Sequence, residues 1–187
     1  MRLAIADPPY LGRAELWYGG KGRSKQGSSG RACGRGTLDA EYHPDARIWD
    51  DPQAHIDLTR QLEAEYDGWA IAASGKTLGA WHADINNAGA KVAIWHVTNA
   101  IPDGARVRNT WEAVIYKVPE GRRAVGAGHR VPDHLSAPHP MSGFVGSKPP
   151  EWTRWVLAML GYDPTQDTVE DIFPGSGAVT AAAAMLI

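Results

Sequence analysis

The chain has a single cysteine, Cys33, which rules out an internal disulfide and any zinc cluster built on several cysteines. Long apolar runs are also missing. No stretch approaches the roughly 20 residues that span a bilayer, and the apolar run at the N-terminus is too short for a signal-peptide core. The expectation is an intracellular, cytoplasmic protein with no membrane partner. A large net charge is absent too: the sum is −2 over 187 residues, 43% of them hydrophobic. That profile fits one globular domain, 1–187, with enough chain to bury a core.

The near-neutral total hides a division. Residues 11–36 carry Arg13, Lys21, Arg23, Lys25, Arg31 and Arg35 against Glu15 alone, and residues 105–131 carry Arg106, Arg108, Lys117, Arg122, Arg123 and Arg130 against Glu112 and Glu120. The rest of the chain is acidic. Two basic segments on an acidic body form a local footprint for a polyanion, with these arginines and lysines (Lys117 apart) as candidate nucleic-acid contacts. A solvated loop is the alternative for each.

The stretch Leu3-Ala4-Ile5-Ala6 stops at Asp7-Pro8-Pro9-Tyr10. Proline lacks the donor a strand ladder needs, so this reads as a buried strand ending in a loop. Asp7 to Tyr10 then lie at a strand's carboxyl end, where open α/β sheets place their ligand crevice. A carboxylate and a carbonyl offer two acceptors to one amine, and Tyr10 offers a ring face to a flat base.

Further on, residues 11–47 are rich in glycine and serine without periodicity and read as a long mobile basic loop, with Trp17, Tyr18 and Trp49 as stacking candidates or core residues. Asp51-Pro52 opens a helix whose apolar face carries Ile56, Leu58, Leu62 and Tyr66 and which Gly68 ends. Strands follow at 69–73, 91–97 and 111–118, with a short helix at 77–85. The alternation predicts a mostly parallel sheet with an antiparallel hairpin from 91 to 118. Ala70 to Thr77 ends in Gly-Lys-Thr, a variant phosphate loop that lacks the leading and interior glycines. In 119–146, a short variable loop, His129, His134 and His139 fall five apart, a spacing that does not share one helical face, so no metal site is expected. A helix from Pro149 to Gly161 and a strand at 168–173 lead to Gly175-Ser176-Gly177. A Gly-x-Gly turn between strand and helix lets a ligand approach backbone donors closely.

Asp7-Pro8-Pro9-Tyr10 resembles the catalytic motif of S-adenosylmethionine-dependent amino methyltransferases, which modify the exocyclic amine of adenine or cytosine in nucleic acid. Val169 to Gly177 resembles their cofactor loop, and Gly146-Ser147-Lys148-Pro149-Pro150 resembles the Lys-Pro segment that precedes it. Catalytic motif first and cofactor loop last is the permuted order of the β group. The resemblance implies an α/β, Rossmann-like methyltransferase sheet, circularly permuted and truncated after the cofactor loop. It implies catalysis by Asp7, Pro8, Pro9 and Tyr10. S-adenosylmethionine would be held by Ala6, Asp7, Ser147, Lys148, Asp171, Phe173, Pro174, Gly175, Ser176 and Gly177. Aspartate before Pro-Pro-Tyr implies adenine in DNA, while cytosine and RNA adenine stay open, as does a nucleic-acid-binding module with little or no activity. The chain stops at Ile187, before the strand whose acid grips the cofactor ribose in that family. A substitute acid, a partner subunit or weak cofactor binding would follow, and a homodimer covering the edge strand at 168–173 is expected.

Overall fold

The computed structural model describes residues 1–19, 42–79, 88–100, 106–124, 130–140, 146–175 and 177–185. Its strands are β1 (Arg2–Ala6), β2 (Gly68–Ala73), β3 (Lys91–Val97), β4 (Trp111–Lys117), β5 (His134–Ala137) and β6 (Thr168–Asp171). Its helices are α1 (Ala14–Tyr18), α2 (Pro52–Glu65), α3 (Gly75–Leu78), α4 (Pro150–Leu160) and α5 (Ala178–Ala184). The strands form one sheet in the order β5-β3-β4-β2-β1-β6. β1 pairs parallel with β2 and β6, β3 pairs parallel with β5, and β4 is antiparallel to both of its neighbours. The sheet is thus mixed and mostly parallel, with the expected hairpin between β3 and β4. β6 lies at an edge.

β1 and β2 read as unbroken apolar runs because both faces are covered, the usual fate of parallel strands. Leu3 and Ile5 of β1 face a core built with Trp152, Val156 and Leu160 of α4 and Val179 of α5. Ala4 and Ala6 face the opposite core, with Leu58 and Leu62 of α2 and Trp69 and Ile71 of β2. Each fully buried large side chain contributes about 1.5–3 kcal/mol by leaving water. α2 starts where the sequence places it: the Asp51 carboxylate accepts from the Gln53 N–H at 2.9 Å, and Pro52 occupies the first turn. α4 ends at Gly161, whose φ of 70° suits a residue without Cβ.

Three readings need correction. The 11–47 segment is not without structure throughout: α1 lies within it, and a 3-10 turn, Ala46–Asp50, begins there. Asp50 accepts from the N–H groups of Ala14 and Glu15, and the His43 N–H donates to the Tyr18 carbonyl at 2.9 Å, so the two ends of the segment are tied together. Residues 20–41 lie outside the described set. The helix expected at 77–85 begins at Gly75, and its described part ends at Leu78. The 119–146 loop contains β5, whose His-Leu-Ser-Ala sequence carries no β-branched residue. It is fixed instead by its ladder with β3 and by the Trp95 indole N–H, which donates to the Ala137 carbonyl at 3.1 Å. Among the described residues, no helix is long and apolar enough to cross a membrane.

Candidate active site

The carboxyl ends of β1, β2 and β6 share one side of the sheet, because these strands are parallel. A cavity of about 550 Å³ opens there, lined among others by Asp7, Tyr18, Trp49, Lys148, Asp171 and Phe173. Its size suits a small-molecule ligand.

Asp7 follows β1 directly, and its side chain is 24% exposed. Lys148, ahead of α4 and only 4% exposed at its side chain, donates to both Asp7 carboxylate oxygens at 2.8 Å and to the Gly146 carbonyl at 3.0 Å. Its ammonium also stands 3.8 Å from Glu112 Oε2, 5.3 Å from the centre of the Tyr10 ring and 5.8 Å from that of Trp152. The Tyr10 hydroxyl donates to Glu112 Oε2 at 2.5 Å. Asp7, Lys148, Glu112 and Tyr10 therefore form one contiguous cluster, with two carboxylates around one cation.

Electrostatics follow from this count. Burial pushes the Asp7 carboxyl above its usual range, and Glu112 adds to that while Lys148 opposes it. Burial alone would lower the Lys148 pKa, but Asp7 and Glu112 outweigh it and hold the ammonium above an ordinary lysine. Burial and the two acids push the Tyr10 phenol well up, so it remains a hydroxyl donor.

On the strand next to β1, Asp171 closes β6, in register with Ile5, and lines the same cavity. Its Oδ1 is buried with no hydrogen-bond partner among the described residues, and burial raises its pKa against the opposing Phe173 N–H. An orphaned carboxylate oxygen in a cavity wall is an acceptor awaiting a donor. The following loop, Phe173-Pro174-Gly175, leads to Gly177, where α5 begins. Gly175 and Gly177 adopt φ of 38° and 71°, conformations that favour glycine, and among the described residues beyond its own chain neighbours nothing lies within 4 Å of where a Gly177 Cβ would stand. Ser176 lies outside the described residues.

Other predicted site residues fall as follows. Pro9, Ser147, Pro174 and Gly175 line the cavity, while Pro8 is buried and the Ala6 side chain lies in the α2-side core. Trp49 lines the cavity and meets Phe173 edge-on at 5.0 Å, so it is a wall of the pocket and not an outward platform. Glu112 was not among the expected site residues. Its signal was its phase: it alternates with Val114 and Tyr116 on one face of β4, and an acid in step with apolar core residues needs a buried partner.

The basic residues divide. Arg106 and Arg108 precede β4, whose antiparallel course puts them on the cavity side of the sheet, and Arg13 follows Tyr10 there. Arg122 and Arg123 follow β4 at the opposite end. Arg122 binds both oxygens of Asp167, at 2.5 and 2.9 Å, and the Gly161 carbonyl, so its guanidinium ties the end of β4 to the segment that follows α4. Arg123 donates to the Val118 carbonyl, and exposed Arg130 precedes β5. Lys21, Arg23, Lys25, Arg31 and Arg35 lie outside the described residues. The phosphate-loop variant also has another use. Ser74 caps α3, and the Thr77 hydroxyl is buried against Ser74. Among the described residues, no group of three or more His, Cys, Asp or Glu side chains is placed to hold a metal.

No protein-family model matches the chain, and no curated protein sequence does. Solved structures do share its fold. The M1.HpyAVI–SAM complex is 14% identical, with a TM-score of 0.56 over 98% of this chain and 76% of that one. TTHA0409 from Thermus thermophilus, a putative DNA modification methylase complexed with S-adenosyl-L-methionine, is 17% identical, with a TM-score of 0.51 over 99% of this chain and 76% of that one.

Proposed function

We propose that the chain is an S-adenosylmethionine-dependent DNA methyltransferase that acts on the exocyclic amine of adenine. The observation that carries this reading is that Asp7 and Pro9 of the acceptor corner face the same cavity as Lys148, Asp171 and the glycine turn. The shared fold with a SAM-bound protein and a SAM-bound putative DNA modification methylase supports it.

The residues fit such a ligand. The Asp171 Oδ1 would accept from the ligand's ammonium group, Ser147 and Lys148 line the same cavity, and the Gly175 to Gly177 turn would let the ligand approach the backbone. When bound, S-adenosylmethionine supplies a methyl group already activated by its sulfonium. The chain's own part is to prepare the amine. An aromatic amine's lone pair is drained into its ring, so the nitrogen attacks only after acceptors draw on its hydrogens. Lys148 uses one position on each Asp7 oxygen, and a carboxylate has about four, so the carboxylate keeps room for the amine. The Pro8 carbonyl serves as the second acceptor and Tyr10 as the base platform. Asp7 would accept the proton that the amine nitrogen loses on taking up the methyl group that S-adenosylmethionine would supply. Alignment of the two reactants supplies much of the rate. A base within a duplex cannot enter this corner, so it is flipped out or single-stranded. Arg13, Arg106 and Arg108, on the same side, contact the backbone.

The test is to incubate the protein with S-adenosylmethionine and unmethylated DNA, digest to nucleosides and analyse by mass spectrometry. N6-methyladenine is the expected product. Methylcytosine would correct the base, methylation of RNA alone would correct the polymer, and no methylated base on either would leave a nucleic-acid-binding module.

A further inference from the structure

We infer that Glu112 is a positioning residue for this reaction, fixing the ring of Tyr10 and centring Lys148 on Asp7. The inference rests on the methyl-transfer reading.

The sheet order explains why such a residue is needed. β4 is separated from β1 by β2, so Glu112 and Asp7 belong to strands two spacings, roughly 10 Å, apart. Tyr10 and Lys148 bridge that gap. The Tyr10 hydroxyl reaches Glu112, and the Lys148 ammonium lies 2.8 Å from Asp7 and 3.8 Å from Glu112. Tyr10 belongs to a loop with no strand partner of its own; its ring packs against the α4-side core, and the hydroxyl adds a tie at the far end that packing alone does not supply. A hydrogen bond to a carboxylate is the strong kind of tie, and it holds the ring at its edge without covering a ring face. The side chain of Glu112 is only 17% exposed, so solvent does not readily replace the tie.

Glu112 also sets the charge around Asp7. The chargeable side chains facing Asp7 are Lys148, Glu112 and, from the neighbouring strand β6, Asp171, together with the Tyr10 and Tyr18 hydroxyls; Glu112 is the acid among them that also meets Lys148 and Tyr10. The negative charge of Glu112 makes ionisation of Asp7 harder. Its removal lets Asp7 ionise at lower pH, and the acid limb of the rate profile moves down.

The experiment measures single-turnover methyl transfer and S-adenosylmethionine affinity for wild type, E112A, E112Q, Y10F and Y10F/E112A. The expected result for E112A is a loss of about tenfold in transfer, the size of one hydrogen bond to a charged group, with cofactor affinity unchanged. E112Q, which keeps an acceptor for Tyr10, recovers most of the rate and shifts the acid limb to lower pH. In the Y10F background, loss of Glu112 has a much smaller effect. Transfer by E112A at the wild-type rate, an equal loss in both Tyr10 backgrounds, or an unmoved acid limb in E112Q would overturn the role of Glu112 alone. Wild type that neither transfers methyl groups nor binds the cofactor would overturn the methyl-transfer reading itself. If E112A does not fold, the rate and acid limb of isosteric E112Q decide.

Discussion

Replacing Lys148 by methionine removes the only cation within 4 Å of Asp7 and Glu112 among the described residues, and keeps most of the side chain's bulk. Breaking a buried ion pair from one side costs about 3–5 kcal/mol, because the surviving charge is left without a partner. Asp7 is partly exposed, which points to the lower end. About 3 kcal/mol corresponds to a fall in Tm of about 10 °C for a chain of this size. The pH dependence has a definite sign. The folded-state pKa of Asp7 is already raised above its unfolded value, so its ionisation opposes folding above that pKa. Without Lys148 it rises further, so the deficit is full at neutral pH and shrinks as pH falls and Asp7 takes up a proton. Thermal denaturation followed by circular dichroism at pH 7 and pH 5 measures this. The double variant D7N/K148M, which removes both charges, should be more stable than K148M at pH 7. Equal Tm values for wild type and K148M, or a deficit that grows on acidification, would refute the reasoning.

Arg122→Met should destabilise by about 2–3 kcal/mol, since it leaves the buried Asp167 carboxylate without its bidentate partner. DNA affinity, read by fluorescence anisotropy, should not change. Burial alone would raise Asp167, but the Met1 ammonium, the Asp163 N–H and Arg122 together hold its pKa below the usual range, so the stability it contributes is present at neutral pH and lost as pH falls through that lowered value. Arg106→Ala with Arg108→Ala should weaken DNA binding and reduce the slope of log affinity against log salt by about one for each phosphate no longer neutralised; an unchanged slope would place DNA elsewhere. Asp171→Asn should weaken S-adenosylmethionine binding about tenfold by calorimetry, the worth of one charged hydrogen bond, while leaving stability level or slightly improved, because it removes the cost of burying the carboxylate's charge.

The parts of the fold that depend on local pattern were legible. β1 and β2 announced themselves as short apolar runs, α2 by Asp51 and Pro52, and the glycine turn by its place between β6 and α5. β5 was not, because its four residues carry no strand preference and owe their conformation to Trp95, some 40 positions away in the chain. Within the site, the pairing of Asp7 with Lys148 joins residues 141 apart, and only the resemblance of their two motifs to one family put both beside a common ligand. Trp49 is a different case. Its type suggested stacking, but its direction is set by Phe173 and by His55, which lies 5.3 Å away in the core of α2.

Glu112 and Arg122 show where a reading by segment runs out. Both belong to the stretch 105–131, which is basic as a whole and so invites one role for all its charges. β4 runs through the middle of that stretch and is about 20 Å long for its 7 residues, so it carries the two halves to opposite ends of the sheet. Because β4 alone runs against its neighbours, its first residues meet the carboxyl ends of β1 and β2, and its last meet their amino ends. Glu112, at the start, therefore reaches the corner formed by Asp7 and Tyr10, while Arg122, beyond the end, closes onto Asp167 beneath the first residue of the chain. Charge summed along sequence misses this; once β4 is known to run against the other described strands, its direction decides which of these charges can share the cavity with Asp7 and which cannot.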